Sequence, residues 1–175
     1  MKKIIEVNRG PGHLFPKKFE DEYGKFSIND CNQRSYEVNR FSLNDLIFLQ
    51  HPYSKKLICG SEFEAWIKKQ GFVPLDIFQA RTIFSKRETL KALIEKWRQE
   101  WWELRKPNFL ATINFFGSTT FKEGGDGVFH IPCFKLARQC CCELEEMVAY
   151  ENTKWMGQND FALVFKKEFI KQLGI

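Results

Sequence analysis

His130, Cys133 and the run Cys140-Cys141-Cys142 bring imidazole and thiol groups close together in sequence, which is the donor chemistry of a zinc site. Zinc takes about four nitrogen or sulfur ligands at about 2.0 to 2.3 Å, so spacing decides whether these residues can serve. Read as one helix, the segment sets Cys133 and Cys140 on the same face but about 10 Å apart along the axis, at about 1.5 Å per residue. They cannot share one ion. Cys140 and Cys141 fall on the apolar side, Cys142 turns about 160° away from Cys140, and no Cys-x-x-Cys occurs. No metal is predicted.

A cysteine nucleophile needs a nearby histidine and an orienting group, and His13, His51 and His130 are the histidines on offer. No cysteine sits at a glycine-flanked helix start that would favour its thiolate, so His130 is read as structural. Gly124-Gly125-Asp126-Gly127 has the glycines of a phosphate cradle but no following Gly-Lys-Ser/Thr and no second carboxylate placed for magnesium. A tight hairpin turn explains those glycines. Glu20-Asp21-Glu22 lies beside Lys17-Lys18, and Glu143, Glu145 and Glu146 read as the solvated side of a helix, so neither forms an acidic metal pocket. No catalytic residue and no cofactor is predicted.

Two binding chemistries fit better. Residues 81–106 carry eight basic and four acidic groups, with Arg87, Lys91, Arg98 and Arg105 able to meet phosphate and Trp102, off the apolar stripe, able to stack on a base. The interleaved acids oppose this, and basic pairs elsewhere, such as Lys55-Lys56 and Lys166-Lys167, read as solubilising surface. The preferred expectation is a protein–protein interface. Aromatic anchors and arginines dominate such contacts, and Tyr53, Trp102 and Trp155 stand near loops or element ends, with Arg87, Lys91, Arg98 and Arg105 as charged neighbours. An inhibitor or immunity-type protein that blocks a toxin or defence nuclease would need such a surface and no catalytic centre. A net charge of +5 favours a partner with an acidic surface.

The elements that must position these residues follow from pattern and punctuation. Lys2 to Val7 reads as a strand, closed by Asn8-Arg9-Gly10-Pro11-Gly12. Phe15 to Val38 is mixed: Phe19 and Tyr23 suit a helical turn, whereas Phe26, Ile28, Tyr36 and Val38 alternate as strands do. Ser42 before Leu43 to Leu49 predicts a short capped helix, Lys56 to Cys59 a strand, and Ser61 with Glu64 a capping box for a helix stopped by Gly71. Ser85 with Glu88 predicts the clearest helix, whose stripe is Leu90, Leu93, Ile94, Trp97, Trp101 and Leu104 and which Pro107 ends. Its polar face permits pairs such as Lys96 with Glu100.

Phe109 to Phe116 reads as a strand, Phe121 to Ile131 as a hairpin, and Pro132 to about Tyr150 as a second long helix with Phe134, Ala137, Cys140, Cys141, Leu144 and Val148 on one face. Phe161 to Phe165 closes the sheet and Lys166 to Leu173 the chain. The sum is α+β: one domain over residues 1–175, with a mostly antiparallel sheet packed against two or three main helices.

Composition agrees. With 175 residues, 43% hydrophobic and 15% aromatic, the chain has ample apolar surface for a core and is not a disordered sequence. No secretory signal is read in Met1 to Val7, so the six cysteines are expected as free thiols in the cytoplasm. No run reaches the roughly 18 to 20 apolar residues of a membrane span, and no membrane partner is predicted.

Overall fold

A computed structural model describes residues 3–10, 31–52, 57–101, 109–118, 120–121, 129–139, 142–151 and 153–175. Its centre is strand β11, Asp160–Phe165, whose sequence Phe-Ala-Leu-Val-Phe is apolar on both sides of the pleat. Phe161, Leu163 and Phe165 point into one cluster, and Ala162 and Val164 into a second. A strand buried on both faces needs covers above and below, and the other elements supply them.

Around β11 the strand order is β3 (Leu46–Gln50), β11, β6 (Phe109–Asn114), β8 (Phe129–Gln139), β7 (Thr120–Phe121). The two-residue β5 (Val73–Pro74) extends the β6 side of β11, and β9 (Cys142–Glu151) lines the outer edge of β8. Among the described residues only the β6–β11 ladder is parallel, so the α+β architecture with a mostly antiparallel sheet holds. Helices α3 (Ile77–Phe84) and α4 (Arg87–Glu100) cover the Phe161 side, where Trp97 meets Phe161 edge-on at 5.8 Å. Helix α2 (Gly60–Lys69) covers the Ala162 side through Phe63 and Ile67. A terminal helix, α5 (Lys167–Leu173), adds Ile170 to the first cluster, and β1 (Ile5–Glu6) with β2 (Arg40–Phe41) forms a separate two-stranded ribbon beside it. Among the described residues no helix is long and apolar enough to cross a membrane.

The largest departure from the pattern reading is Pro132 to Tyr150, which is no helix but the antiparallel hairpin of β8 and β9, with Gln139 facing Cys142. Cys133, Phe134 and Leu136 are all buried, so both strand faces are apolar and periodicity cannot separate such a run from a buried helix. Pro132 stands where the neighbour of β8 changes from β6, last paired at Cys133, to β7, first paired at His130. Its carbonyl accepts the Phe115 amide at 2.9 Å, and its missing N–H falls at that gap.

Other boundaries shift for local reasons. Leu43 to Leu49 makes only a 3-10 turn, Leu43–Asp45, because the Asp45 carboxylate takes both the Ser42 amide and hydroxyl and closes one turn. The chain then enters β3, with Leu46 and Phe48 on one face and Ile47 and Leu49 on the other. The capping box of α2 is Cys59 with Glu62, whose carboxylate accepts the Cys59 amide at 3.0 Å, while Glu64 pairs instead with Lys68. Ser85 does not start α4. It ends α3, its hydroxyl bonded to the Thr82 carbonyl, and Lys86 precedes the first turn of α4. Tyr36, read as strand, lies in helix α1 (Gln33–Glu37), started by the Asn32 side chain.

Candidate functional site

One flank of α4 carries three of the predicted basic residues. Arg87 and Lys91 are exposed and Arg98 is half-buried; at 100° per residue the three lie within about 40° of one another around the axis. The acids between them are engaged. Lys3 Nζ stands 3.2 Å from Glu88, Gln99 donates to Glu95, and Lys96 pairs with Glu100 as the spacing predicted. Leu93, Ile94 and Trp97 are buried on the neighbouring side, a stripe centred about 90° round the axis from the basic residues. Trp102 and Arg105, like Tyr53, lie outside the described residues.

The last predicted site residue, Trp155, is elsewhere. It belongs to strand β10 (Trp155–Met156), which pairs with β4 (Ile58–Cys59) so that Trp155 faces Cys59 and Met156 faces Ile58. Cross-strand partners share a face. The Met156 side packs into the α2 cluster and is 1% exposed; the Trp155 side is open, with Trp155 itself 63% exposed. Leu57, one residue before β4, joins it at 66% exposure and lies over Gly157, where a Cβ would stand 3.4 Å from Leu57 Cδ2. Bonds from Gly60 N to Lys154 O and from Gly157 N to the Asp160 carboxylate fix both ends of the ribbon.

No protein-family model, curated protein or solved structure matches this chain. Geometry alone therefore defines the candidate surfaces, and it divides them. Trp97 of α4 packs on Phe161, whereas Met156 of the ribbon packs with Ala162 and Val164, so the basic stripe and the Trp155 face lie on opposite sides of the sheet. Arg87, Lys91 and Arg98 stay together, but Trp155 does not join them. Leu57 was missed by sequence reasoning because its companions sit on a strand distant in sequence.

A buried polar cluster was also missed. Asp76, fully enclosed, starts α3 by accepting the Phe78 and Gln79 amides on Oδ1, and its Oδ2 accepts Arg9 Nη1 at 2.9 Å. Gln79 closes the box on the Asp76 amide and donates to the Ser35 and Val38 carbonyls. Arg9 also donates to Asn39 and the Tyr36 carbonyl, with its guanidinium 4.2 Å from the Tyr36 ring centre. Burial pushes the Asp76 carboxyl above its ordinary value, and the Arg9 charge and the Gln79 and Phe78 amides pull it back. With both oxygens occupied, this carboxylate holds the fold rather than a substrate. The legible signal was Asp76-Ile77-Phe78-Gln79, a capping box with Asp in place of Ser.

His130 and Cys133, the nearest histidine and cysteine in sequence, do not share a face. They are an odd number of residues apart on β8, so their side chains leave opposite faces. Burial raises the Cys133 thiol far above its usual range and keeps it protonated. Cys142 faces Gln139 at the far end of the hairpin, about 20 Å from Cys133 along the strand at about 3.3 Å per residue. Cys140, Cys141 and the Gly124 to Gly127 turn with Asp126 lie outside the described residues. Among the described residues no three His, Cys, Asp or Glu side chains are grouped to hold a metal. His51 is buried edge-on to Phe63 and Trp66, at 5.5 and 5.1 Å between ring centres; desolvation lowers its pKa, and Glu62 offsets part of the effect.

Proposed function

We propose that this chain is a non-enzymatic binding protein of the cytoplasm that docks another protein through the Trp155 face. The observation that carries this reading is a pair of large apolar side chains, Trp155 and Leu57, about two-thirds exposed on a ribbon whose reverse side is anchored in the core. A rigidly held tryptophan loses little freedom on binding and is the commonest kind of hot spot. The partner carries a complementary apolar pocket within an acidic surface, which the net charge of +5 attracts. An inhibitor or immunity-type protein, blocking a toxin or defence nuclease by occlusion, works in this way and needs no cofactor.

The test is co-purification of the full chain from native lysate. One stoichiometric protein is expected, and it is expected to be lost with Trp155→Ala or Leu57→Ser while the unfolding curve is unchanged. Equal capture by wild type and both variants sinks the reading.

A second reading, nucleic-acid binding by a regulator or accessory nuclease component, is favoured by one observation: Arg87 and Lys91 are exposed and make no ion pair among the described residues. It predicts retention on immobilised DNA or RNA that falls steeply with salt and disappears with Arg87→Glu plus Arg98→Glu.

A further inference from the structure

His51 follows the last residue of β3 and is buried, with its imidazole edge-on to Phe63 and Trp66 in the first two turns of α2. The same stretch of α2 holds the Trp155 face in place. Glu62 accepts the Cys59 amide, Cys59 faces Trp155 across the ribbon, the Gly60 amide is bonded to the Lys154 carbonyl, and Phe63 shares a cluster with Met156 and Ile58 on the reverse side. β3 carries no charged residue, Glu64 of α2 pairs with Lys68, Lys69 is exposed, and Lys154 stands 3.8 Å from Asp160 of β11. Among the described residues Glu62 is the charged group whose field reaches the imidazole, and its pull is smaller than the cost of stripping water from the ring. A neutral ring therefore fits this slot and a charged one does not.

We propose that His51 gates the Trp155 face: a proton on its imidazole drives the ring from between Phe63 and Trp66, loosens the start of α2 and the ribbon it anchors, and so weakens docking in acid. What docks rests on the protein-partner reading, whereas the gate is a property of this chain alone. The sign follows from burial. With the ring in water the open form takes up its proton near the ordinary value of 6.5, and the closed form does so only at lower pH, so acid favours opening. Opening gains at most about tenfold per pH unit between those two values, and a partner that needs the closed ribbon loses affinity in step once the open form predominates.

Native-state amide exchange of the full chain, followed by NMR from neutral to mildly acid pH, tests the gate without a partner. The Gly60 amide, bonded to Lys154, is expected to exchange through a local opening and so to be less protected than the Leu75 amide, which is bonded to the Leu163 carbonyl in the core. Its protection is expected to fall with pH below 6.5, by up to about tenfold per unit, in the range where the His51 ring signals titrate. His51→Gln is expected to flatten that fall. Glu62→Gln keeps an oxygen for the Cys59 amide but removes the charge, and is expected to move the His51 titration to lower pH; it also decides the matter if His51→Gln does not fold. A partner captured at neutral pH is expected to leave the wild type on acidification and to stay on His51→Gln. If no partner is captured, the docking reading fails while amide exchange still judges the gate. Protection of Gly60 equal to that of Leu75 at every pH, a fall that persists in His51→Gln, or a His51 titration unmoved by Glu62→Gln each overturns the proposal.

Discussion

Arg9 and Asp76 form a buried ion pair across 67 residues of sequence, at 2.9 Å, with the carboxylate fully enclosed and the guanidinium almost so. The pair ties the segment after β1 to the first turn of α3. Arg81 reinforces it, donating to the Asn8 and Gly10 carbonyls.

Removing one partner leaves an uncompensated charge in a place water cannot reach. Arg9→Met is expected to cost about 3 to 5 kcal/mol in denaturant unfolding, and Asp76→Asn added to it is expected to recover part of that loss. Simple additivity of the two substitutions in a double-mutant cycle would show that the residues do not act as a pair.

Gly117 donates its amide to the Leu75 carbonyl at 2.9 Å, and a Cβ at Gly117 would stand 2.5 Å from that same oxygen. The obstacle is backbone, which cannot swing aside. Gly117→Ala is expected to cost at least about 2 kcal/mol. Gly71, in the left-handed region at φ +76° with open space around it, supplies the comparison; Gly71→Ala is expected to lose only about 1 kcal/mol. Equal losses would contradict the close contact at Leu75.

His51 makes stability depend on pH. Its pKa is lowered in the folded protein from 6.5, so between the two values the unfolded chain holds more protons. The contribution is complete above about 6.5 and is lost as pH falls through the lowered value. Urea titrations from neutral to mildly acid pH should show this decline in the wild type and a flatter profile in His51→Gln. Parallel profiles would remove His51 as the cause.

The two faces of the β4–β10 ribbon should respond oppositely to truncation. Trp155→Ala is expected to change unfolding free energy by less than about 0.5 kcal/mol, as exposed positions usually do. Met156→Ala, one residue on, is expected to cost about 2 to 5 kcal/mol through the cavity it leaves. Similar values for both would mean that the ribbon does not sort its side chains as described.

Much of this architecture can be read without coordinates wherever one pattern excludes the others. The α4 stripe of Leu93, Ile94 and Trp97, the apolar run of β11 and the helix stop at Gly71 each have a single physical solution. The β8–β9 hairpin does not, because burial of both faces erases the alternation that marks a strand. Ser85 and Ser61 are good cap residues placed beside better alternatives: α3 already runs up to Ser85, and Cys59 with Glu62 starts α2 two residues earlier. Positions of the basic stripe and of Trp155 were legible one at a time. Their separation by the thickness of the sheet was not, since it depends on which cluster Phe161 and Ala162 each join.

Strand β11 is the last made of its neighbours, yet β3, β5 and β6 all pair with it. During synthesis those three strands emerge with greasy flanks and unfilled backbone positions, and their common template arrives only afterwards. Long-range pairing of this kind is slow and leaves a sticky intermediate. A polypeptide cut before Asp160 would lack the one strand that β3, β5 and β6 share, and with it the common wall of both apolar clusters.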